Sequence, residues 1–329
     1  MDGRDFKICG LQKIQKRPDE FTAFITEAND KTKIGEIKFE VALNKGIYEG
    51  KYYTNAYTSR YVKVSLGKDN SMLSVWGGIT WGRLKDKDTP LYNPVLPVFT
   101  KIDDKTSLFS IPSFLIEAKD FNKVLIDNEK ILRNTENLII DIRGNTGGNA
   151  IYFPLIAAYY EKPLMNEVGY AVSSEDNLTY FKNYSTGKGN DPYKLLVENM
   201  KTGAGKIIDG PVFANMELKS EKTALKRVVI VTDKSNMSAA ESFVLHSKAV
   251  SSKVTIMGEN TGGVIDYNNI NMVSLNCEKH GIFFGYPTFT FNKTILTNGY
   301  NKTGILPDIK IDNKVQDKIK FVTEYLQKS

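Results

Sequence analysis

Two cysteines, Cys9 and Cys277, and two histidines, His246 and His280, are all that 329 residues supply of the side chains that staple small folds and bind most zinc ions. Two cysteines make at most one bridge. That excludes a disulfide scaffold and a four-cysteine zinc site, and leaves the redox compartment open. Two histidines are too few for a histidine-rich metal centre, so neither metal nor cofactor is expected. No apolar run approaches the ~20 residues of a membrane-spanning helix. The start, Met1-Asp2-Gly3-Arg4-Asp5, places no apolar stretch behind a basic leader, so no secretory signal is expected in the chain as given. The excess of 44 basic over 38 acidic side chains gives +6, but the basic residues are scattered. Without a basic arm, a nucleic-acid partner is not expected. What remains is ordinary: 41% hydrophobic and 25% charged, as in water-soluble globular proteins, at a length that favours two domains.

Residues 1–98 read as β-rich. Short alternating segments, Phe21-Thr22-Ala23-Phe24-Ile25 and Glu36-Ile37-Lys38-Phe39-Glu40-Val41, are separated by glycine and Asn-Asp turns. From Arg60 to Leu66 the period-two pattern predicts a half-buried strand, with Lys68-Asp69-Asn70 turning after it. Trp76 and Trp81 read as core anchors, or as an aromatic pair lining a groove. Pro90, Pro94 and Pro97 stiffen the chain into an extended connection. The expected division is a β-rich N-terminal domain of unknown role, 1–98, and a second domain, 99–329.

After Thr100, strands and helices alternate. The pattern predicts a strand at 107–111, a helix at 118–134, and a continuous apolar strand at 137–142. A glycine-rich turn, Arg143-Gly144-Asn145-Thr146-Gly147-Gly148, leads to an apolar helix near 150–160. Residues 173–205 are polar and turn-rich, an insertion or lid. A second buried strand (227–232), a helix (238–251) and a third strand (253–257) follow, then β hairpins over 270–311 and a helix at 315–327. Such alternation predicts an α/β fold with a mostly parallel sheet.

Two segments could carry chemistry. Ser238 opens a helix just beyond a buried strand, where open α/β sheets place active sites and where the helix N-terminus favours negative charge. The same Ser238-Ala239-Ala240-Glu241 spacing is also a capping box, in which serine and glutamate satisfy each other's backbone donors. The turn at 143–148 points N–H groups into a concavity, as half of an oxyanion hole or as a phosphate cradle, or is simply a tight turn. Neither nucleotide fingerprint fits it.

Taken in order, Asp141-x-Arg143-Gly144-Asn145-x-Gly147-Gly148, the Ser238-Ala-Ala-Glu helix, Gly258-Glu259-Asn260-Thr261-Gly262-Gly263 and Gly304-Ile305-Leu306-Pro307-Asp308 form a set. Over roughly 105–312 the chain resembles the C-terminal processing (tail-specific) and tricorn-like serine peptidases. The resemblance implies a crotonase/ClpP-like core preceded by the small β-rich domain. It implies hydrolysis of peptide bonds in peptides or unfolded proteins, with Ser238 as nucleophile. The oxyanion hole would be made by the Ala239 N–H and an N–H of Gly147 or Gly148. It also implies a place outside the cytoplasm, against the missing leader. The lysine base of the processing branch is replaced by Val264, and both histidines lie downstream of the serine, unlike the tricorn-like arrangement. Asp266 is then the nearest candidate base, or else a loop cap; Tyr267 and Glu259 are further options. His246 reads as a surface or packing residue and His280 as part of a hairpin turn. The alternative function is a degenerate peptide-binding relative that lacks the base.

Overall fold

The computed structural model describes residues 6–13, 20–28, 34–44, 47–53, 59–66, 72–75, 79–82, 96–189, 191–219, 222–274, 283–293, 297, 299–301, 303–312 and 314–328. Trp76, Pro90, Pro94, Cys277 and His280 lie outside them, as does the turn Lys68-Asp69-Asn70.

The first part is one antiparallel sheet in simple sequence order. Its strands are β1 Phe6–Lys13, β2 Glu20–Ala28, β3 Ile37–Asn44, β4 Ile47–Tyr53, β5 Ser59–Leu66, β6 Met72–Val75 and β7 Ile79–Gly82. Alternation decides the buried face: Ala23, Phe39, Val41, Val62 and Val64 pack together from β2, β3 and β5.

The second sheet has the order β17-β14-β13-β10-β9-β8. Its strands are β8 Val98–Lys101, β9 Thr106–Ser110, β10 Asn137–Asp141, β13 Arg227–Thr232, β14 Val254–Gly258 and β17 Ile309–Lys310. All neighbours are parallel except β8, which pairs antiparallel with β9. Both faces are covered, so the central strands are apolar throughout. Leu138, Ile140, Val228 and Ile230 face the helix α6 (Ala239–Val250) and Phe121 of α1 (Ala118–Asp127). Ile139, Val229 and Val231 face Ile319, Val322 and Leu326 of the C-terminal helix Lys318–Lys328. Each such fully buried side chain contributes about 1.5–3 kcal/mol. The architecture is the expected one, an α/β core preceded by a β-rich region.

Two local expectations change. The helix predicted at 118–134 breaks at Asn128, whose side chain donates to the Val124 carbonyl, so α1 gives way to a separate α2, Glu129–Asn134. The apolar helix near 150–160 contracts to α3, Phe153–Ile156. A third, antiparallel sheet joins β12 (Ile207–Asp209), β11 (Tyr170–Val172), β16 (Phe283–Thr290) and β15 (Tyr267–Ser274) in that order. The polar insertion carries α4 (Glu175–Tyr184) and α5 (Lys194–Thr202), whose Phe181, Leu196 and Met200 pack with Phe289 of this sheet.

Candidate active site

Three adjacent parallel strands, β10, β13 and β14, deliver their following loops to the same edge of the sheet. The strand register pairs Asp141 with Val231 and Thr232 with Gly258, so the glycine turn, the serine turn and the 259–264 turn emerge side by side. Asn236 binds the first two together. Buried completely, it donates to the Ile142 carbonyl (2.5 Å) and the Asn145 carbonyl (3.1 Å), and its own carbonyl accepts the Gly262 N–H (2.7 Å).

Ser238 is exposed and precedes α6 with φ 53° and ψ −122°. That is a conformation few residues with a Cβ adopt, and it costs on the order of 1–3 kcal/mol. Its side chain accepts no helix N–H. The capping box is therefore not formed. Glu241, fully buried, turns instead to the 261–264 loop. It accepts from the Thr261 hydroxyl (2.5 Å), the Gly263 N–H (2.9 Å) and the Val264 N–H (2.7 Å). The glutamate thus clamps the third loop under the helix, and among the described residues the Ser238 hydroxyl has no hydrogen-bond partner.

Gly147 lies directly against the serine. A Cβ there would stand 2.7 Å from the Met237 carbonyl oxygen, 3.0 Å from Ser238 Cβ and 3.1 Å from the Ala239 nitrogen, at a φ of 104°. Only glycine permits this approach. The two glycines are not equivalent as donors. The Gly147 N–H is held by Asn145 Oδ1 (2.9 Å), inside the turn. Gly148 is exposed, and among the described residues neither its N–H nor that of Ala239 has an acceptor.

Asp266, expected as a base or a loop cap, is buried, and its two carboxylate oxygens accept the N–H groups of Tyr300 and Asn301, each at 2.8 Å. No hydrogen bond joins it to Ser238. Glu259 pairs with Lys318, and Tyr267 stands largely exposed on β15. Val264, which follows the Gly258–Gly263 turn, is 51% exposed. Asp308 of the closing motif accepts the Ile256 N–H (2.7 Å) and pairs with Lys248 of α6 (2.8 Å), which fixes β14 to the serine helix.

A buried ionic cluster beneath the glycine turn escaped sequence reasoning. Asp141, at the end of β10, binds Arg143 through two bonds of 2.9 Å and also pairs with Lys63 from β5 of the first sheet. Lys63 and Asp141 are each 1% exposed. The Arg143 guanidinium also lies 5.1 Å over the Tyr61 ring, and the Tyr61 hydroxyl donates to Glu49 (2.6 Å). Burial alone would raise the Asp141 carboxyl, but Arg143 and Lys63 outweigh it and hold the group well below the usual carboxylate range. Asp233, at the start of the serine turn, behaves oppositely. Burial pushes it up to about 6, although it accepts the Gly144 and Ser235 N–H groups. The sequence signal was an aspartate closing an otherwise apolar strand, with an arginine two residues on.

Comparison with known proteins follows the same lines. The sequence profile of Peptidase family S41 matches residues 105–311. Among solved structures, mature CPAF complexed with lactacystin is similar over 98% of this chain and 83% of its own, with 13% identity and a TM-score of 0.52, a likeness of fold. A lipoprotein from Streptococcus agalactiae shares 18% identity over 71% of this chain and 70% of its own, with a TM-score of 0.43. The photosystem II D1 C-terminal processing protease shares 13% identity over 87% and 72%, with a TM-score of 0.43. No curated protein matches the chain in sequence.

Proposed function

The chain belongs to Peptidase family S41, and from that premise we propose that it is a serine peptidase in which Ser238 is the nucleophile and the Ala239 and Gly148 N–H groups receive the oxyanion. One observation carries the reading: an exposed serine is kept in a costly backbone conformation, uncapped, with Gly147 packed against it. A packing or capping serine gains nothing from that arrangement. In the reaction the Ser238 oxygen attacks the peptide carbonyl, and the negative charge forms beside the Ala239 N–H at the start of α6 and the Gly148 N–H of the glycine turn. Collapse of the tetrahedral intermediate expels the amine with a proton and leaves an acyl-serine, which water hydrolyses. Asp266 is assigned to holding the 300–301 loop, since both its oxygens are engaged there. With valine at position 264 the hydroxyl proton passes to water, and acylation is slow. A general base is worth about 10²–10⁴ in rate.

The test is covalent labelling by a fluorophosphonate, read by intact mass and by peptide mapping, beside hydrolysis of an unfolded protein substrate. Labelling at Ser238, with both activities lost in Ser238→Ala, is expected. Peptide binding without labelling or turnover would identify a degenerate binder instead.

A further inference from the structure

Ser238, Ser242 and His246 follow one another at four-residue steps and so share a face of α6. Beyond Ser238 this face becomes one wall of a cleft of about 510 Å³. Tyr152 and Phe153, just past the glycine turn, form a second wall, and Phe289 and Phe291 of the β16 segment a third. Among the described residues neither lysine nor arginine lines it, and Glu167 is the one carboxylate that does.

His246 stands among the aromatic residues of this lining, which also holds Asn166, Asn268, Asn269 and Asn292. Its ring stacks on Phe153 (centroids 5.6 Å apart, 21° between planes) and on Phe291 (6.4 Å, 29°). Its Nδ1 lies 3.1 Å from the Tyr152 hydroxyl. The phenol is the better acid and the imidazole nitrogen the better base, so Tyr152 donates to Nδ1, which leaves the imidazole proton on Nε2. Burial lowers the histidine to about 4, so the ring is neutral near pH 7. Among the described residues Nε2 has no partner, and the sealed, unpartnered side-chain atoms are Asn122 Oδ1 and Asn177 Oδ1 only. Nε2–H is thus not sealed in packing, and His246 is part of the cleft lining.

Resting on the peptidase reading, we propose that this cleft takes the substrate side chain beside the scissile bond, that it selects an uncharged aromatic ring ending in an acceptor, as in tyrosine, and that His246 is the specificity-determining residue. Eight residues of helix separate Ser238 from His246 by about 12 Å along the axis. An attack distance of about 3 Å and a hydrogen bond of about 2.8 Å leave a gap that tyrosine spans and alanine or valine does not. Aromatic walls favour a flat ring, a glutamate would be desolvated there without a counter-charge, and a lysine would exchange its hydration for Glu167 alone. A free C-terminal carboxylate would likewise find no cation.

The experiment measures fluorescence anisotropy of labelled peptides on the Ser238→Ala protein, with hydrolysis by the wild type in parallel. The peptides carry a single tyrosine, phenylalanine, glutamate or lysine in an alanine–serine background. Tyrosine is expected to bind about fivefold tighter than phenylalanine, the worth of one neutral hydrogen bond, and both at least about tenfold tighter than the charged peptides. His246→Phe, which keeps an aromatic ring but no donor, should equalise tyrosine and phenylalanine. His246→Gln, which keeps a donor, should retain part of the preference. Equal affinities in the parent protein, or a tyrosine preference that survives His246→Phe, overturns the assignment. Selective binding with no hydrolysis defeats the peptidase reading alone, and hydrolysis without selectivity defeats the pocket alone.

Discussion

Substituting Ser238 separates a capping serine from a catalytic one by stability rather than by activity. A hydroxyl that caps α6 would cost about 0.5–2 kcal/mol when removed. The structure gives this hydroxyl no helix N–H to accept, so Ser238→Ala is expected to change stability by less than ~0.5 kcal/mol. Glycine probes the backbone. At φ 53° and ψ −122° a residue with a Cβ carries about 1–3 kcal/mol of strain. Glycine relieves it but loses about 0.5–1 kcal/mol more chain entropy on folding. The net expectation for Ser238→Gly is a gain of about 1 kcal/mol, with labelling and turnover abolished. Urea unfolding followed by far-ultraviolet circular dichroism, compared at a common slope, measures both variants. A loss above ~1 kcal/mol in Ser238→Ala, or destabilisation by glycine, would refute the view that the serine is held strained for its side chain.

Four further outcomes are expected. Gly147→Ala would drive a methyl group to 2.7 Å from the Met237 carbonyl; the displaced serine should label about 100-fold more slowly while circular dichroism stays native, and unchanged labelling would contradict the contact. Val264→Lys restores the family's base position and should raise the labelling rate at least about tenfold, seen by stopped-time mass spectrometry. No gain would place the 264 side chain out of reach. Asp233, raised to about 6 from ~3.9 when unfolded, contributes stability that is full below about pH 4 and lost as pH rises through 6. Urea midpoints should show that Asp233→Asn flattens this fall, and an unchanged pH profile would remove Asp233 as its source. Lys63→Met should cost about 3 kcal/mol by taking from buried Asp141 one of its two cations, whereas Lys101→Met, whose partner Asp104 is 98% exposed, should cost under ~0.5 kcal/mol; equal losses in urea would deny the pair its buried character.

Much of the core was legible because burial on both faces leaves a direct trace. Leu138-Ile139-Ile140 and Val228-Val229-Ile230 have no polar alternation, and they became the central parallel strands β10 and β13. Ser238 was ambiguous for a physical reason: the spacing Ser-x-x-Glu suits a capping box and equally suits a glutamate that reaches another loop. Only the position of Thr261, Gly263 and Val264, brought close by β14, decides between them. Lys63 misleads in the opposite way. Period-two alternation puts it on the polar face of β5, yet that face is covered, because Asp141 arrives from 78 residues away. His246 read from the sequence as a surface or packing residue, and the walls it stacks against, Phe153 and Phe291, come from distant segments that no local pattern unites.

The Lys63–Asp141 pair makes the opening sheet an electrostatic component of the α/β core. Cutting the chain between the two sheets and removing the first would withdraw one counter-ion from a carboxylate rooted at the foot of the glycine turn. The remaining fragment would then have to admit water or a proton at that point. Either would loosen the glycine turn that packs against Ser238, so a single proteolytic nick followed by dissociation would be a one-way change.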